Sequence, residues 1–553
     1  MADNEREVLS ALAALQFAHR STSEYFGYLL ESTDPFLRAG AWCALLEGGH
    51  LSKRPDLWDE LLSACSIRAV RMRAFEFFET EMLDYDRARR VAAVQVPSAE
   101  VEKAQRMEAH LRHDAADASA AAGRIFLATG DRNWLLQAAQ DGREWGAGHA
   151  LEWLVRLCIL DPANSGALAG LLDNLHADGR REALATCAEL LFGSPSHQIF
   201  AHCFAAAAHH SAGRSGDAIR ALEPILPALS IAPDLAPFRP AIHQIKAEAE
   251  ERLGRFHDAF ADFSAMNGVP SSGPADPEDF YLSAATQKEL TIPVLPQELR
   301  GDVVQMLGFP RSGTTLLENV LAAHAMIETF EEIPSLRAAL DVVRLGINGL
   351  SPNKAGTIEL YLAARNRYYE IVDSIRKKPD AKVLVDKMPL RTSEAAFIQK
   401  VFPDWHYIFS VRHPCDVILS CFKQRFVANA AMENFRTIAG AIRAYDLSMS
   451  EWFSIHTLSD PAVHYVRYDE LVTDFDRVLT ATLQFLGLEW DERVREFATA
   501  AQARASRTPS YRKVRQGIGI GVQTYWRDYK FVFDIPEAKP LFKWAEFFGY
   551  PTA

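Results

Sequence analysis

Cysteine is scarce in this chain: seven residues among 553, at 43, 65, 158, 187, 203, 415 and 421, with no C-x-x-C pair. Their neighbours are apolar, as in Leu157-Cys158-Ile159, so they read as buried free thiols of a reducing compartment and exclude a disulfide-stapled scaffold. Long apolar runs are absent too: no segment stays apolar for the ~18 residues a membrane span needs. Where a signal peptide would carry positive charge, Met1 to Arg20 has Asp3, Glu5 and Glu7. The expectation is a soluble cytoplasmic protein. Excess positive charge is also missing, since 59 Lys and Arg stand against 72 Asp and Glu for a net −13, which argues against a general nucleic-acid binder.

What is present is ordinary globular composition, 48% apolar and 24% charged, in a chain several times longer than the ~100–150 residues of one domain. At least two cores are therefore expected. Charge divides unevenly between them. Residues 1–300 hold 28 basic and 42 acidic side chains, while 301–553 hold 31 and 30, so an anionic ligand belongs with the second part.

From residue 5 to about 265 the sequence is rich in Ala, Leu, Glu and Arg, with apolar residues at helical spacing, as in Leu151, Leu154, Val155 and Cys158. A local pattern recurs there: Gly179-Arg180 with Glu182-Ala183, Gly213-Arg214 with Asp217-Ala218, and Gly254-Arg255 with Asp258-Ala259. The first two glycines are 34 residues apart and the next interval is 41. Pro162 and Pro195 follow the second helices. The pattern resembles the tetratricopeptide repeat, a helix pair that buries its face by stacking on neighbours. The reading is an irregular helical region over 1–140 and tetratricopeptide-like repeats over 141–266, the latter implying a protein or peptide partner. Asn267-Gly268-Val269-Pro270-Ser271-Ser272-Gly273-Pro274, with Pro277, Pro293 and Pro296, then marks a linker over 267–300.

After residue 300 short β-rich runs alternate with helical stretches, the pattern of an α/β domain with a mostly parallel sheet, here over 301–553. The runs are Val303–Leu307, Val383–Val385, Tyr407–Val411 and Tyr465–Val466, each ending in polar residues. The first leads through Gly308-Phe309-Pro310-Arg311-Ser312-Gly313-Thr314-Thr315 into a helical run. A strand, a Gly-bounded loop and a helix N-terminus together collect backbone N–H groups and a positive dipole end, which suit phosphate. The spacing Gly308 to Gly313 copies a Walker A loop, but Thr314 stands where its Lys belongs. A nucleoside triphosphate is thereby disfavoured; a shorter 5′-anion, held by the loop amides, Thr314, Thr315 and Arg311, is not. Lys387 closes the second run, and Arg412 ends the third, eight residues before Ser420 on the helix opened by Pro414. Between Arg504 and Lys530 lie seven basic residues and one acid, in a Gly- and Ser-rich stretch able to fold over an anion.

Taken together these residues resemble the sulfotransferase superfamily, specifically a bacterial branch in which tetratricopeptide-like helices precede a domain similar to protein-tyrosine sulfotransferase. The similarity spans roughly 300–550 and rests on Pro310-Arg311-Ser312-Gly313-Thr314-Thr315 and the Arg412…Ser420 pair. It implies a P-loop-like α/β fold and 3′-phosphoadenosine 5′-phosphosulfate (PAPS) as co-substrate. The first loop would then be the 5′-phosphosulfate site, and Arg412 with Ser420 the 3′-phosphate site. By position, Glu332 matches the family's catalytic base, Arg311 and Lys387 match residues contacting the transferring group, Ser510 a serine near the leaving phosphosulfate, and Tyr468 an adenosine-contacting tyrosine. Arg515, in the late basic stretch, is expected on the nucleotide. Two positions depart from the animal tyrosine enzymes: Gln424, followed by Arg425, stands where they have another Arg, and Gln516-Gly517 replaces a Lys-Pro pair.

The chemistry of sulfuryl transfer agrees with that assignment. In-line transfer to a hydroxyl through a loose transition state asks the protein for positioning and charge stabilisation, with no metal. Lys387, Ser510 and the loop amides would meet charge on the leaving oxygen, Arg311 the sulfuryl oxygens, and Glu332 the acceptor's proton. No H-x-x-x-H and no Cys/His cluster with metal spacing occurs. His324 and His413 suit packing or capping, and Cys415 and Cys421 lack a base partner. The acceptor has no readable code: peptide tyrosine, carbohydrate, lipid and small phenol all fit, and a homodimer is neither demanded nor excluded. Two other readings stand beside this one, a non-catalytic scaffold whose α/β domain holds nucleotide, and an atypical P-loop kinase.

Overall fold

The computed structural model describes residues 25–552 apart from 27–28, 49, 52–53, 79–86, 88–89, 92–98, 112–114, 144–146, 162–163, 270–275, 282–299, 334, 350–357, 427, 456–461 and 503–524. The chain divides into two compact units, Met1–Asp262 and Phe263–Ala553. Every regular element described in the first unit is helical. Towards its end the helices follow one another in pairs: α1 (Ser165–Ala177) and α2 (Arg181–Phe192), α3 (Gln198–Ser211) and α4 (Ser215–Leu222), α5 (Arg239–Arg252) and α6 (Phe256–Gly268).

The glycine that recurs in the sequence makes the same turn in each pair. Gly179, Gly213 and Gly254 all lie at positive φ, 66°, 75° and 74°. The following amide reaches back to close the helix end, Arg180 N to Leu175 O, Arg214 N to His209 O and Arg255 N to Glu250 O, each at 2.9 Å. A side chain at those three positions would strain that closure. The first helices of successive pairs, α1, α3 and α5, pack on one another in turn. A continuous buried apolar core runs from Tyr25 to Ile245. Among the described residues, no helix is long and apolar enough to cross a membrane.

The second unit is an α/β fold on five strands: β1 (Val303–Gly308), β2 (Ile327–Glu331), β3 (Val383–Lys387), β4 (His406–Val411) and β5 (Val463–Arg467). They form one parallel sheet in the order β2-β3-β1-β4-β5. β1 and β3 are buried at every residue, as strands covered on both faces must be. Val304, Met306, Val383, Val385, Ile408 and Val466 pack with Leu317, Val320 and Leu321 of α7 (Thr314–Ala322) on one face. Alternation along β3 sends Asp386 to the opposite face. There it accepts hydrogen bonds from Tyr368 Oη at 2.8 Å, Gln305 Nε2 at 3.2 Å and Ser335 Oγ at 3.3 Å. These fasten α8 (Ser335–Gly349) and α9 (Ile358–Ile375) to the sheet.

The four sequence runs all lie within strands, and β2 is an addition to them. The path from β1 to β2 passes over β3, whereas β4 leads outward to β5 on the other side. Connections leaving in opposite directions open a crevice at the carboxyl ends of β1 and β4, the position where open parallel sheets hold ligands.

Candidate active site

Each of the five strands delivers a candidate residue at its carboxyl end. β1 runs into the loop Phe309–Gly313, β2 into Glu332, β3 ends on Lys387, β4 is followed by Arg412, and β5 by Tyr468. Two backbone positions are forced. Among the described residues Arg311 (φ 73°) and Glu332 (φ 51°) are the non-glycine residues at positive φ, a conformation costing of order 1–3 kcal/mol that persists only where the surroundings impose it. Gly313, at φ 105°, also has no room for a side chain, since a Cβ there would meet Tyr468 Cδ2 at 2.6 Å.

The β1 end gathers cations, hydroxyls and the first amides of a helix. Ser312, Thr314 and Thr315 are buried where α7 begins, and the first amides of a helix have no partner within it. Ser410 Oγ donates to Ser312 O at 3.0 Å and Cys421 Sγ to Pro310 O at 3.4 Å, fixing the loop against β4 and α10 (Pro414–Phe422). Arg311 Nε donates to Ser420 Oγ at 3.0 Å. The Arg412 guanidinium lies 4.7 Å from the centre of the Tyr468 ring. Burial pushes the Arg311 guanidinium below its ordinary value, and the charge of Arg412 adds to that, against Cys421 and Tyr468. Among the described residues, Arg412 Nε and Ser312 Oγ are buried with no hydrogen-bond partner. Two neighbouring cations, beside these two unused donors, fit the phosphate oxygens of a multiply charged nucleotide.

The β2–β3 end carries a different arrangement. Lys387 is completely buried, and its Nζ lies 2.9 Å from Glu332 Oε1, 3.3 Å from Glu331 Oε1 and 3.6 Å from Glu318 Oε2. Burial works against its charge, but the carboxylates of Glu318, Glu332 and Glu331 outweigh it and hold the ammonium above its usual range. Strand register explains the meeting. Glu331 is the partner of Lys387 across β2 and β3, Glu332 N donates to Lys387 O at 2.9 Å, and Lys387 points to the α7 face that bears Glu318. Glu332 keeps 32% of its side chain exposed while Lys387 keeps none, so the carboxylate reaches solvent and the ammonium stands behind it.

Of the residues singled out from the sequence, Pro310, Arg311, Ser312, Gly313, Thr314, Thr315, Arg412, Ser420 and Tyr468 gather at the β1–β4–β5 end, and Glu332 and Lys387 at the β2–β3 end. Arg311, expected at the transferring group, has its Nε on Ser420 and so belongs with the Arg412 side. Ser510 and Arg515 lie outside the described residues, as does most of the late basic stretch. His413 caps α10 through Nδ1, accepting from Cys415 N at 3.2 Å, and His324 accepts from Met326 N at 3.1 Å. Glu318 is the residue that sequence reasoning missed. Its one signal is a charge inside Leu316-Leu317-Glu318-Asn319-Val320-Leu321, an otherwise apolar helical run. Ser410, which ties the loop to β4, carried no signal at all.

An α/β domain with two cations and a helix N-terminus at its switch point is the class that this fold and site define. Over residues 304–492 the chain matches the family model described as the sulfotransferase family, in agreement with the resemblance read from the sequence. It is 25% identical over 199 residues to protein-tyrosine sulfotransferase 1 of Danio rerio, covering 34% of this chain and 53% of that protein. It is 27% identical over 237 residues to an uncharacterized protein of Aquifex aeolicus (strain VF5), covering 41% of this chain and 30% of that protein. The chain thus spans between about a third and a half of the length of these curated relatives. Among solved structures, the sulfotransferase domain from the curacin biosynthetic pathway is 19% identical, covering 46% of this chain and 99% of that one, with a TM-score of 0.33.

Proposed function

We propose that this protein is a sulfotransferase that moves a sulfuryl group from PAPS to a hydroxyl acceptor. One observation carries the reading: the Lys387–Glu332 pair, 2.9 Å apart, stands at the same sheet edge as the anion crevice with its unpartnered Arg412 Nε and Ser312 Oγ. The crevice residues suit the donor. Arg311, Arg412 and Ser420 would hold the 3′-phosphate, the loop amides with Ser312, Thr314 and Thr315 the 5′-phosphosulfate, and Tyr468 would flank the adenosine. Bound there, the donor supplies an activated sulfuryl group.

This chain's own residues do the rest. Glu332, facing outward, takes the proton of the acceptor hydroxyl. Lys387, held charged beside Glu332, is assigned by resemblance to the transferring group, where charge on the leaving oxygen develops. Electrostatic preorganisation of this kind costs nothing at the moment of reaction because the cation is already fixed by its carboxylates. Ser510 and Arg515 are assigned by resemblance to the leaving phosphosulfate and the nucleotide. The helices before residue 267, read as tetratricopeptide-like, would recruit the acceptor or another protein, and the seven free thiols suit a reducing compartment.

The test is incubation of the full chain with labelled PAPS and a panel of tyrosine peptides, glycans and lipids. Label transfer to a hydroxyl is the expected result. Failure to bind either PAPS or its desulfated product would end the proposal.

A further inference from the structure

Away from the crevice, the helical unit brings together three ligand-bearing side chains that the activity above does not use. His176 and His210 lie 34 residues apart, each in the last turn of the first helix of its pair, α1 and α3. Because α1 packs on α3, and α3 on α5, equivalent positions in successive pairs become neighbours. The two imidazole rings lie 5.3 Å apart, and Glu248 of α5 completes the group, His210 Nε2 standing 3.0 Å from Glu248 Oε2. One ligand atom from each residue falls within 4.8 Å of the others.

We propose that His176, His210 and Glu248 bind a divalent first-row metal ion, with Zn²⁺ the best match, and that the ion fastens α1, α3 and α5 together. Two imidazoles and one carboxylate are a borderline-soft donor set that suits Zn²⁺, Co²⁺ or Ni²⁺ and disfavours Mg²⁺ and Ca²⁺, which require oxygen. The supporting groups are in place. Gln244 Nε2 donates to Glu248 Oε1 at 2.9 Å, which leaves Oε2 turned toward His210, and Ser211 Oγ lies 3.3 Å from His176 Nδ1 and orients that ring. Outer groups of this kind fix ligand orientation in metal sites. His210 is 2% exposed; its Nε2 meets Glu248, and its Nδ1 is buried without a partner among the described residues. Local ligand spacing does not reveal this group, because its members come from three helices. The site is independent of the sulfuryl-transfer reading.

The experiment uses the full chain, stripped with a chelator and exchanged into metal-free buffer, then titrated with Zn²⁺ by calorimetry and with Co²⁺ by visible absorption. Glu248→Gln and His176→Asn are titrated alongside, with circular dichroism in chelator confirming that each keeps the wild-type helix content. Glu248→Gln preserves shape and the bond from Gln244, so it reports even where a His210 variant fails to fold. The expected result is one tightly bound equivalent in the wild type, weakened at least ~tenfold in both variants. No binding, or equal affinity in wild type and variants, overturns the proposal.

Discussion

Replacing Lys387 by Met tests the arrangement at the β2–β3 end most severely. The side chain is fully buried with carboxylates at 2.9, 3.3 and 3.6 Å, so Met removes the cation and leaves Glu332, Glu331 and Glu318 facing one another. Removing one partner from a buried ionic group costs about 3–5 kcal/mol, a large part of the ~5–15 kcal/mol that holds a domain folded. The sign of the pH dependence follows. Without the ammonium, the clustered carboxylates bind protons more readily folded than unfolded, so the deficit relative to wild type should shrink as pH falls from 7 towards 5. Glu318→Gln added to Lys387→Met should restore about 1–2 kcal/mol, because the two sites share one network. Urea denaturation at pH 7 and 5 measures both effects. Sulfuryl transfer at pH 7, normalised to folded protein, should drop about 10²–10³-fold. A Lys387→Met protein that loses less than 1 kcal/mol and shows the wild-type pH profile would refute the reasoning.

Three further outcomes are expected. Gly313→Ala places a Cβ 2.6 Å from Tyr468 at a φ of 105°, so it should destabilise the fold by about 1–3 kcal/mol and weaken donor binding, and an unchanged melting midpoint would contradict this. Glu332→Gln keeps the volume of a partly exposed side chain; turnover should fall about 10²–10⁴-fold with donor affinity nearly unchanged, whereas retained turnover would remove Glu332 from the role of base. All seven thiols are buried, which raises Cys43 and Cys65 to about 11 and Cys187 and Cys421 to about 12, so none should react rapidly with a disulfide reagent at pH 8 until denaturant exposes all seven. One thiol reacting at the rate of free cysteine would disprove it.

How much was legible in the chain depended on where the information lay. β1, β3 and β4 are almost wholly buried and read as largely apolar runs, so the polar residues at their ends mark the crevice in the sequence itself. β2 was hidden because its Ile-Glu-Thr-Phe-Glu sequence reads as polar. Glu328 is nonetheless buried, where it accepts the amides of Lys377 at 2.6 Å and Lys378 at 2.9 Å. With β2 unseen, the register that sets Glu332 beside Lys387 was unseen too. The carboxylates around Lys387 come from α7, β2 and the residue that follows β2, and the His176–His210–Glu248 group from three helices. Contacts of that kind depend on strand register and helix stacking, which leave no spacing to read in one dimension. The recurring glycine was the exception, since positive φ demands that residue wherever the turn occurs.

The account rests on the crevice beside Arg412 and Ser312 accepting a bisphosphorylated adenosine, and equilibrium binding tests that most directly. Calorimetric titration of the full chain with adenosine 3′,5′-bisphosphate should show one site, weakened roughly 10–100-fold in Arg412→Ala by loss of about 1.5–3 kcal/mol of charged hydrogen bonding. ATP with magnesium should bind far more weakly. No binding of the bisphosphate, tighter binding of ATP, or equal affinity in Arg412→Ala would contradict the account.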